Sequence, residues 1–507
     1  MLDNFNTQDE VDATPNPEFL IKSIAEQGYT LETALADLID NAVSKGADKI
    51  EILIDTNKEP FVLYLADNGI GMTDDVLRKS MHFPSTSSEY VRAPDDLGRF
   101  GLGMKTASFS QTRQLTVLSR SRISSDAPFS SYSWNVDLFA KNQGWKIHKN
   151  QQKIINEKLD QYLLLSKGFL NNFDNYAPST IIIWDGLYKF ENYLEKDRKP
   201  ALQKEITEIT SEYLSLVFHR FLERSEKKIK IRINNHLLIP FNPFPEVQTN
   251  LRKLERMEKI FKTDTISVEG FILPSSSIQE SKDGNPIWTP ANKSLMDMEG
   301  IYVYRGDRLI IYGGWLGVIK KAPRMQLARL KVDIGNSVDK YFQLNVAKSL
   351  ITIPYELQFP FVRYISNLKK NAENEYSNRG TKSSSKLNTF GEVFLVKTQT
   401  SKSIRYEVNE NFHLLTVLKQ QLTQDQFQLL RVIMRMLLTT INALRNSYEH
   451  PDYSWVEEDI VEQENIAAII LTLKHAGLTS KQIKSLIITS MDIREDNLPP
   501  DILKQIN

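Results

Sequence analysis

Residues 33–73 read TALADLIDNAVSKGADKIEILIDTNKEPFVLYLADNGIGMT, and three patterns follow one another along them. Leu31, Leu35, Leu38, Ile39 and Ala42 form one stripe at helical spacing, and Gly46 is placed to stop that helix. Ile50, Ile52 and Ile54 then alternate with other residues as a strand, and Phe61–Ala66 is a second apolar strand. The second strand ends at Asp67, Gly69 and Gly71 permit a tight turn, and Thr73 can cap the next helix. A helix whose stripe packs under a sheet, followed by strands and a glycine turn, predicts an α+β domain.

Asp37 and Asn41 are four apart and share one helical face, roughly 100–120° round from the apolar stripe. They can look into a pocket while the stripe packs on the sheet. A carboxylate one turn from a carboxamide suits a water-orienting base beside an oxygen ligand for magnesium, which prefers hard donors. A carboxylate held at a strand end, as Asp67 is, can accept a hydrogen bond from an exocyclic amino group such as adenine's, and glycines let a flat base approach the backbone. Further on, residues 96–110 read DLGRFGLGMKTASFS, where Gly98, Gly101 and Gly103 precede a small-residue helix with Lys105 in its first turn. Free N–H groups at that helix start, with one ammonium, suit phosphates. The segment is not a P-loop, since Met104 displaces the lysine by one residue and the residues before it are polar rather than a buried strand. Its GxxGxG order is not the Rossmann GxGxxG either. Finally, STIIIWDGL at 179–187 is a buried strand opening with the hydroxyl of Thr180. Each segment alone also fits a solvated face, a connecting turn or a packed strand.

In combination the four resemble the GHKL ATPase superfamily, which contains gyrase B subunits, the ninety-kilodalton heat-shock chaperones, histidine kinases and MutL. The order matches: an acid four before Asn, then DxGxG, then GxxGxG, then a strand threonine. The resemblance covers at least residues 19–186 and implies the Bergerat fold, an α/β sandwich with helices over one face of a mixed sheet and ATP between them. It implies that Asn41 ligates Mg2+ and that Asp67 receives the adenine amino group. Gly69, Gly71 and Met72 would line the base, and Thr180 would support Asp67 through a water. Gly98, Phe100, Gly101, Leu102, Gly103, Met104 and Lys105 would wrap the phosphates, and residues 73–96 would form a lid. The superfamily's water-activating residue is usually Glu, whereas this chain has Asp37, one methylene shorter.

The segments at 216–244 and 302–315, the latter YVYRGDRLIIYGGW, resemble the transducer domain of MutL, gyrase B and especially MORC-type ATPases, a ribosomal S5-like α/β domain. FQLNVAKSLITIP at 342–354 sits where those relatives carry a lysine on a loop reaching the γ-phosphate, which gives that catalytic role to Lys348. The expected layout is an arm over 1–18, the ATPase domain over 19–200, the transducer over 201–374, a linker over 375–390 and a mainly helical region over 391–507. The resemblance further implies a homodimer that forms with ATP through exchange of the N-terminal arms, and a clamp that closes on DNA.

Lys320, Lys321, Arg324, Arg329 and Lys331 form a run without an acid between Val318 and Lys331, suited to phosphates or to a solvated loop. A defence role against foreign DNA, or genome maintenance, follows from the prokaryotic MORC-like resemblance, with nuclease, helicase or methylase partners. The alternative is a chaperone-like ATPase acting on protein clients. Among the 507 residues Lys+Arg and Asp+Glu both number 63, which argues against a uniformly cationic chain, and hydrophobic residues make up 41%. There is no cysteine, which excludes disulfides, thiolate catalysis and cysteine-held metals. The polar, acidic N-terminus is expected to be neither a signal nor a transit peptide, no stretch is expected to span a bilayer, and the expected location is the cytoplasm.

Overall fold

The computed structural model describes residues 15–26, 28–82, 103–123, 127–138, 145–170, 172–246, 248, 250–262, 264–335, 338, 341–343, 351–377, 394–399, 404–449, 470–471 and 473–484. The chain divides into two compact units, residues 1–377 and 378–507.

In the first unit, Asn16 caps helix α1 (Pro17–Ala25), its side chain accepting from the N–H groups of Glu18 and Phe19. The last residues of the expected arm therefore open a helix, since Pro17 at the first position has a preset φ and no N–H to satisfy. Helix α2 (Leu31–Ser44) buries all five stripe residues, each contributing about 1.5–3 kcal/mol when large and fully enclosed. Gly46, at φ 76°, turns the chain away. Strands β1 (Lys49–Ile54) and β2 (Val62–Asp67) follow, then α3 (Asp74–Met81), capped by the Thr73 hydroxyl. Next come α4 (Gly103–Phe109), β3 (Gln114–Ser119), β4 (Ser130–Asn135), β5 (His148–Lys149), α5 (Gln152–Gly168) and β6 (Thr180–Asp185).

A single long amphipathic helix is expected from Ile206 to Leu222. The structure instead has α6 (Glu195–Lys204), a π-helical segment (Glu205–Thr210), α7 (Ser211–Val217) and α8 (His219–Glu223). The Ser211 hydroxyl donates to the Ile206 carbonyl at 2.8 Å, feeding the widened turn. Strands β7 (Lys230–Ile233) and β8 (His236–Leu237) complete an eight-stranded sheet, ordered β5-β4-β3-β6-β2-β1-β7-β8. β7 falls in the expected transducer region yet pairs in parallel with β1, Glu51 opposite Arg232. Both side chains are fully buried and ion-paired at 2.8 Å, and Tyr162 of α5 donates its hydroxyl to Glu51 at 2.7 Å.

One face of this sheet carries Ile52, Leu63, Leu65, Val117, Ile182 and Trp184 against α1, α2, α4 and α7. The other carries Leu53, Tyr64, Leu118, Ile181 and Ile183 against Ile155 and Tyr162 of α5. The Bergerat resemblance implies helices on one face; α5 covers the second as well, which is why the strands are continuous apolar runs.

The second sheet contains β9 (Arg252–Lys253), β10 (Met257–Phe261), β11 (Asp264–Ile272), β12 (Gly300–Arg305), β13 (Arg308–Ile311) and β14 (Ala328–Ile334). Its order is β10-β11-β14-β12-β13, with β9 beside β11. Val268, Val303, Leu330 and Val332 face helix α9 (Tyr355–Ser377), while Phe271, Tyr302 and Tyr304 join the core of the first sheet. The expected linker starts inside α9: Glu375 is buried and accepts the Ser275 N–H at 3.0 Å.

The second unit opens with the hairpin of β15 (Leu395–Gln399) and β16 (Ile404–Val408), followed by α10 (His413–Gln421) and α11 (Gln424–Glu449). The Asn442 side chain of α11 bonds both backbone groups of Tyr406, tying helix to hairpin. No helix among the described residues is long and apolar enough to cross a membrane.

Candidate functional site

Packing of the α2 stripe under the sheet fixes where Asp37 and Asn41 point. Asp37 is buried, and its Oδ2 accepts a 2.7 Å hydrogen bond from the Tyr29 hydroxyl. Burial, reinforced by the Asp37 charge, raises the Tyr29 pKa far above its ordinary value, so the phenol stays a donor. Asn41, one turn on, is half-buried. Gly103 opens α4 directly over this face: a Cβ there would stand 3.8 Å from Asp37 Oδ2. The first and third sequence segments therefore meet, although they lie more than sixty residues apart.

Asp67 is placed by register. β6 lies between β2 and β3, so Thr180 is opposite both Asp67 and Ser119. Ser119 Oγ shares a 2.9 Å hydrogen bond with Thr180 Oγ1 and accepts the Met72 N–H at 2.9 Å. The Asp67 carboxylate accepts the Gly69 N–H at 2.8 Å and, at longer range, the Ser179 hydroxyl. Burial pushes its pKa up to about 6, with the Gly69 and Ser179 donors pulling the other way. The turn beneath needs its glycines. A Cβ at Gly69 would approach the Lys45 carbonyl oxygen to 2.8 Å, and Gly71, at φ 64°, would drive one into the Arg120 carbonyl. What remains is a backbone floor of the kind a flat ring can approach, with a carboxylate at its end.

Lys105 is 1% exposed, and its ammonium donates to the carbonyls of Ser80 at 2.7 Å and His82 at 2.5 Å, at the C-terminal end of α3. A cation there complements the helix dipole. Burial lowers its pKa to about 8. Met104 packs partly buried against the core. Gly98, Phe100, Gly101, Leu102 and the expected lid from residue 83 on lie outside the described residues, as does Lys348.

Sequence reasoning passed over several groups around this site. Tyr29 precedes the helix, and nothing in its spacing marks it. Ser119 and Ser179 become visible only once β3, β6 and β2 are put in register. Asp40 falls roughly opposite the α2 stripe at about 100° per residue, where solvent is the natural expectation. It is instead fully buried, with Oδ1 accepting from Arg308 Nε of β13 at 3.0 Å.

The basic run requires a correction. Arg329 is fully buried on β14, donating to the carbonyls of Pro243 and Trp288, and cannot present its charge to a phosphate. Lys331 is paired with Glu269 at 2.5 Å and lies over the Phe271 ring. Strand alternation and acids from other segments, absent from the local sequence, remove both. Lys320 and Lys321 are exposed and Arg324 is half-buried.

Asn41 offers one hard oxygen donor, and among the described residues no group of three or more His, Cys, Asp or Glu is placed to hold a metal ion. One protein oxygen with substrate phosphates completing the shell is a usual magnesium arrangement, so the donor set fits that ion. A separate cavity of about 420 Å3, lined by Ile21, Lys22, Phe109, Arg113 and Lys189 among others, has Tyr29 in its wall and none of Asp37, Asn41, Asp67 or Lys105.

No curated protein matches the chain. A family model described as histidine kinase-, DNA gyrase B-, and HSP90-like ATPase matches residues 29–164, from Tyr29 into α5. Over these residues the chain is similar to ATPase domains of that kind.

Proposed function

We propose that this chain is a magnesium-dependent, ATP-hydrolysing clamp with the layout of MORC- and MutL-like ATPases. The observation that supports the reading is that the approach of Gly103 to Asp37, one turn from Asn41, and the Asp67–Gly69 turn packed on the Lys45 carbonyl just past Asn41 lie in the region that the GHKL-type family model matches.

In this reading the adenine lies on the Gly69–Met72 backbone and gives its amino hydrogen to Asp67, which Thr180 supports through a water. Asn41 holds Mg2+, which supplies charge neutralisation at the phosphates when bound. Asp37 orients the attacking water and takes up its proton; its carboxylate is fixed by the Tyr29 hydroxyl. Lys105 would leave the carbonyls of Ser80 and His82 for a phosphate, with Gly98–Gly103 around the rest. Lys348 would reach the γ-phosphate from the second region. Closure on ATP brings two copies together, the residues before α1 exchanging between them, and hydrolysis reopens the clamp.

DNA is the proposed object, held through Lys320, Lys321 and Arg324, in defence or genome maintenance and in company with a nuclease, helicase or methylase. Action on protein clients is the second reading. The exposed Tyr355, Phe359 and Val362 along one side of α9 favour it.

The deciding experiment is calorimetry and steady-state turnover with Mg-ATP, with and without DNA, for wild type and Asn41→Ala. Wild type is expected to bind and turn over slowly, and Asn41→Ala to lose turnover. Absence of binding by wild type would sink the proposal.

A further inference from the structure

The far side of α2 carries a charge that the proposed ATPase chemistry does not use. Asp40 is fully buried, adjoins Asn41 and lies one turn from Asp37. Its partner, Arg308, is 2% exposed and sits on β13 of the second sheet, 268 residues on. The guanidinium is held on every side. Nε donates to Asp40 at 3.0 Å, Nη1 donates to the Leu309 carbonyl at 2.5 Å, Cζ lies 4.5 Å from the Phe218 ring centre, and Tyr213 is a further side-chain partner. The Asp37 carboxylate also lies within the reach of its charge.

A buried ion pair is poor evidence for stability, because desolvation of both ions offsets much of their attraction, and an apolar pair of similar volume is often as stable. What such a pair does supply is a fixed relative placement. Here α2 has its stripe against the first sheet, and Asp40 on its opposite face is held to the second by the directional contact with Arg308. Asp37 and Asn41 lie on the arc between the two.

We infer that Arg308 is a positioning residue of the nucleotide site: through Asp40 it sets the rotation and height of α2, and so the placement of Asp37 and Asn41. The inference rests on the ATPase reading above. It makes the second sheet a working part of the site, even though the matched family region ends at residue 164. Misplacement of a reacting group by about 1 Å costs on the order of a hundredfold in rate, so the consequence falls on turnover more than on binding.

The test compares wild type, Arg308→Lys and the double variant Asp40→Asn/Arg308→Met in the full chain. The double variant removes both charges and leaves no uncompensated ion, and Arg308→Lys keeps charge but loses the planar fork. Thermal midpoint, Kd for Mg-ATP and kcat are measured for each. The expected result is a kcat at least tenfold down in the double variant, an intermediate loss in Arg308→Lys, and Kd within about threefold of wild type in both. Wild-type kcat in either folded variant overturns the inference, as does a kcat that falls only in step with the thermal midpoint or with ATP affinity. A wild-type protein that neither binds nor hydrolyses ATP is a different failure, and sinks the ATPase reading itself.

Discussion

A carboxylate at the end of a buried strand has two demands on it, and Asp67 shows how they conflict. Its carboxyl pKa lies near 6, so the free protein holds a proton there below that pH, and the unfolded chain, near 3.8, does not. Ionised Asp67 is the better acceptor for an adenine amino group. In wild type, affinity for ATP is therefore expected to fall as pH drops from 7 to 5, by up to tenfold per unit below 6. Asp67→Asn should bind about ten- to a hundredfold more weakly at pH 7, the loss of a charge-assisted hydrogen bond. The gap between the two in log Kd should narrow toward pH 5, since phosphate titration is common to both; calorimetry at three pH values checks it, and a constant gap would count against Asp67 as the base receptor. Tyr29 acts on the other carboxylate. Removal of its hydroxyl in Tyr29→Phe takes one donor from Asp37 Oδ2 without touching the base floor. The expected outcome is a kcat about tenfold lower with Kd for Mg-ATP unchanged, read from steady-state rates beside calorimetry.

At the scale of elements, α2, β1, β2 and β6 were legible because each carries its own pattern, and the ends of α2 and β2 were marked by Gly46 and Asp67. The meeting of Asp37 with Gly103 follows from four ordered segments. The parts that local pattern hides depend on pairing. Nothing near Lys230 announces that β7 will lie beside β1, because the partner of Arg232 is Glu51, 181 residues earlier. Arg329 and Lys331 read as a basic run because alternation in a strand and acids from elsewhere are invisible locally. The π-helical segment from Glu205 to Thr210 is a third case, and Glu205 at its start lies against Glu32 of α2. Burial first, and then the Glu32 charge, raise the Glu205 pKa; Glu32 Oε2 is buried and finds no partner among the described residues. An acid raised in the folded state loses its contribution to stability as pH climbs from the unfolded value through the folded one. Glu205→Gln is accordingly expected to melt above wild type at pH 8.5 and close to it at pH 5. A thermal scan at the two pH values decides, and an advantage that is equal at both would mean the carboxyls do not repel.

For the whole molecule, the sorting of the basic run by burial turns the proposed hold on DNA into a quantitative expectation. Each phosphate neutralised contributes about 0.9 to the slope of log K against log salt on duplex DNA. Five cations were candidates on sequence; the fold leaves Lys320 and Lys321 in solvent and Arg324 half-exposed. Conversion of these three to Gln should lower the slope by at most about 3, roughly uniformly across DNA sequences, because contacts of this type position without reading bases. Lys331→Gln should leave the slope unchanged, since Glu269 already takes its charge at 2.5 Å. Its effect should instead be a modest fall in thermal midpoint as Glu269 loses its partner. Filter or anisotropy titrations from low to physiological salt, run with a non-hydrolysable ATP analogue and without it, measure both quantities. They also connect the surface to the cycle. Should closure around DNA be what ATP drives, the three-residue variant will lose most of the binding gained with the analogue while its mass by sedimentation still doubles as wild type's does. A slope indifferent to the three residues would turn attention to the exposed Tyr355, Phe359 and Val362, whose natural counterpart is an apolar segment of protein.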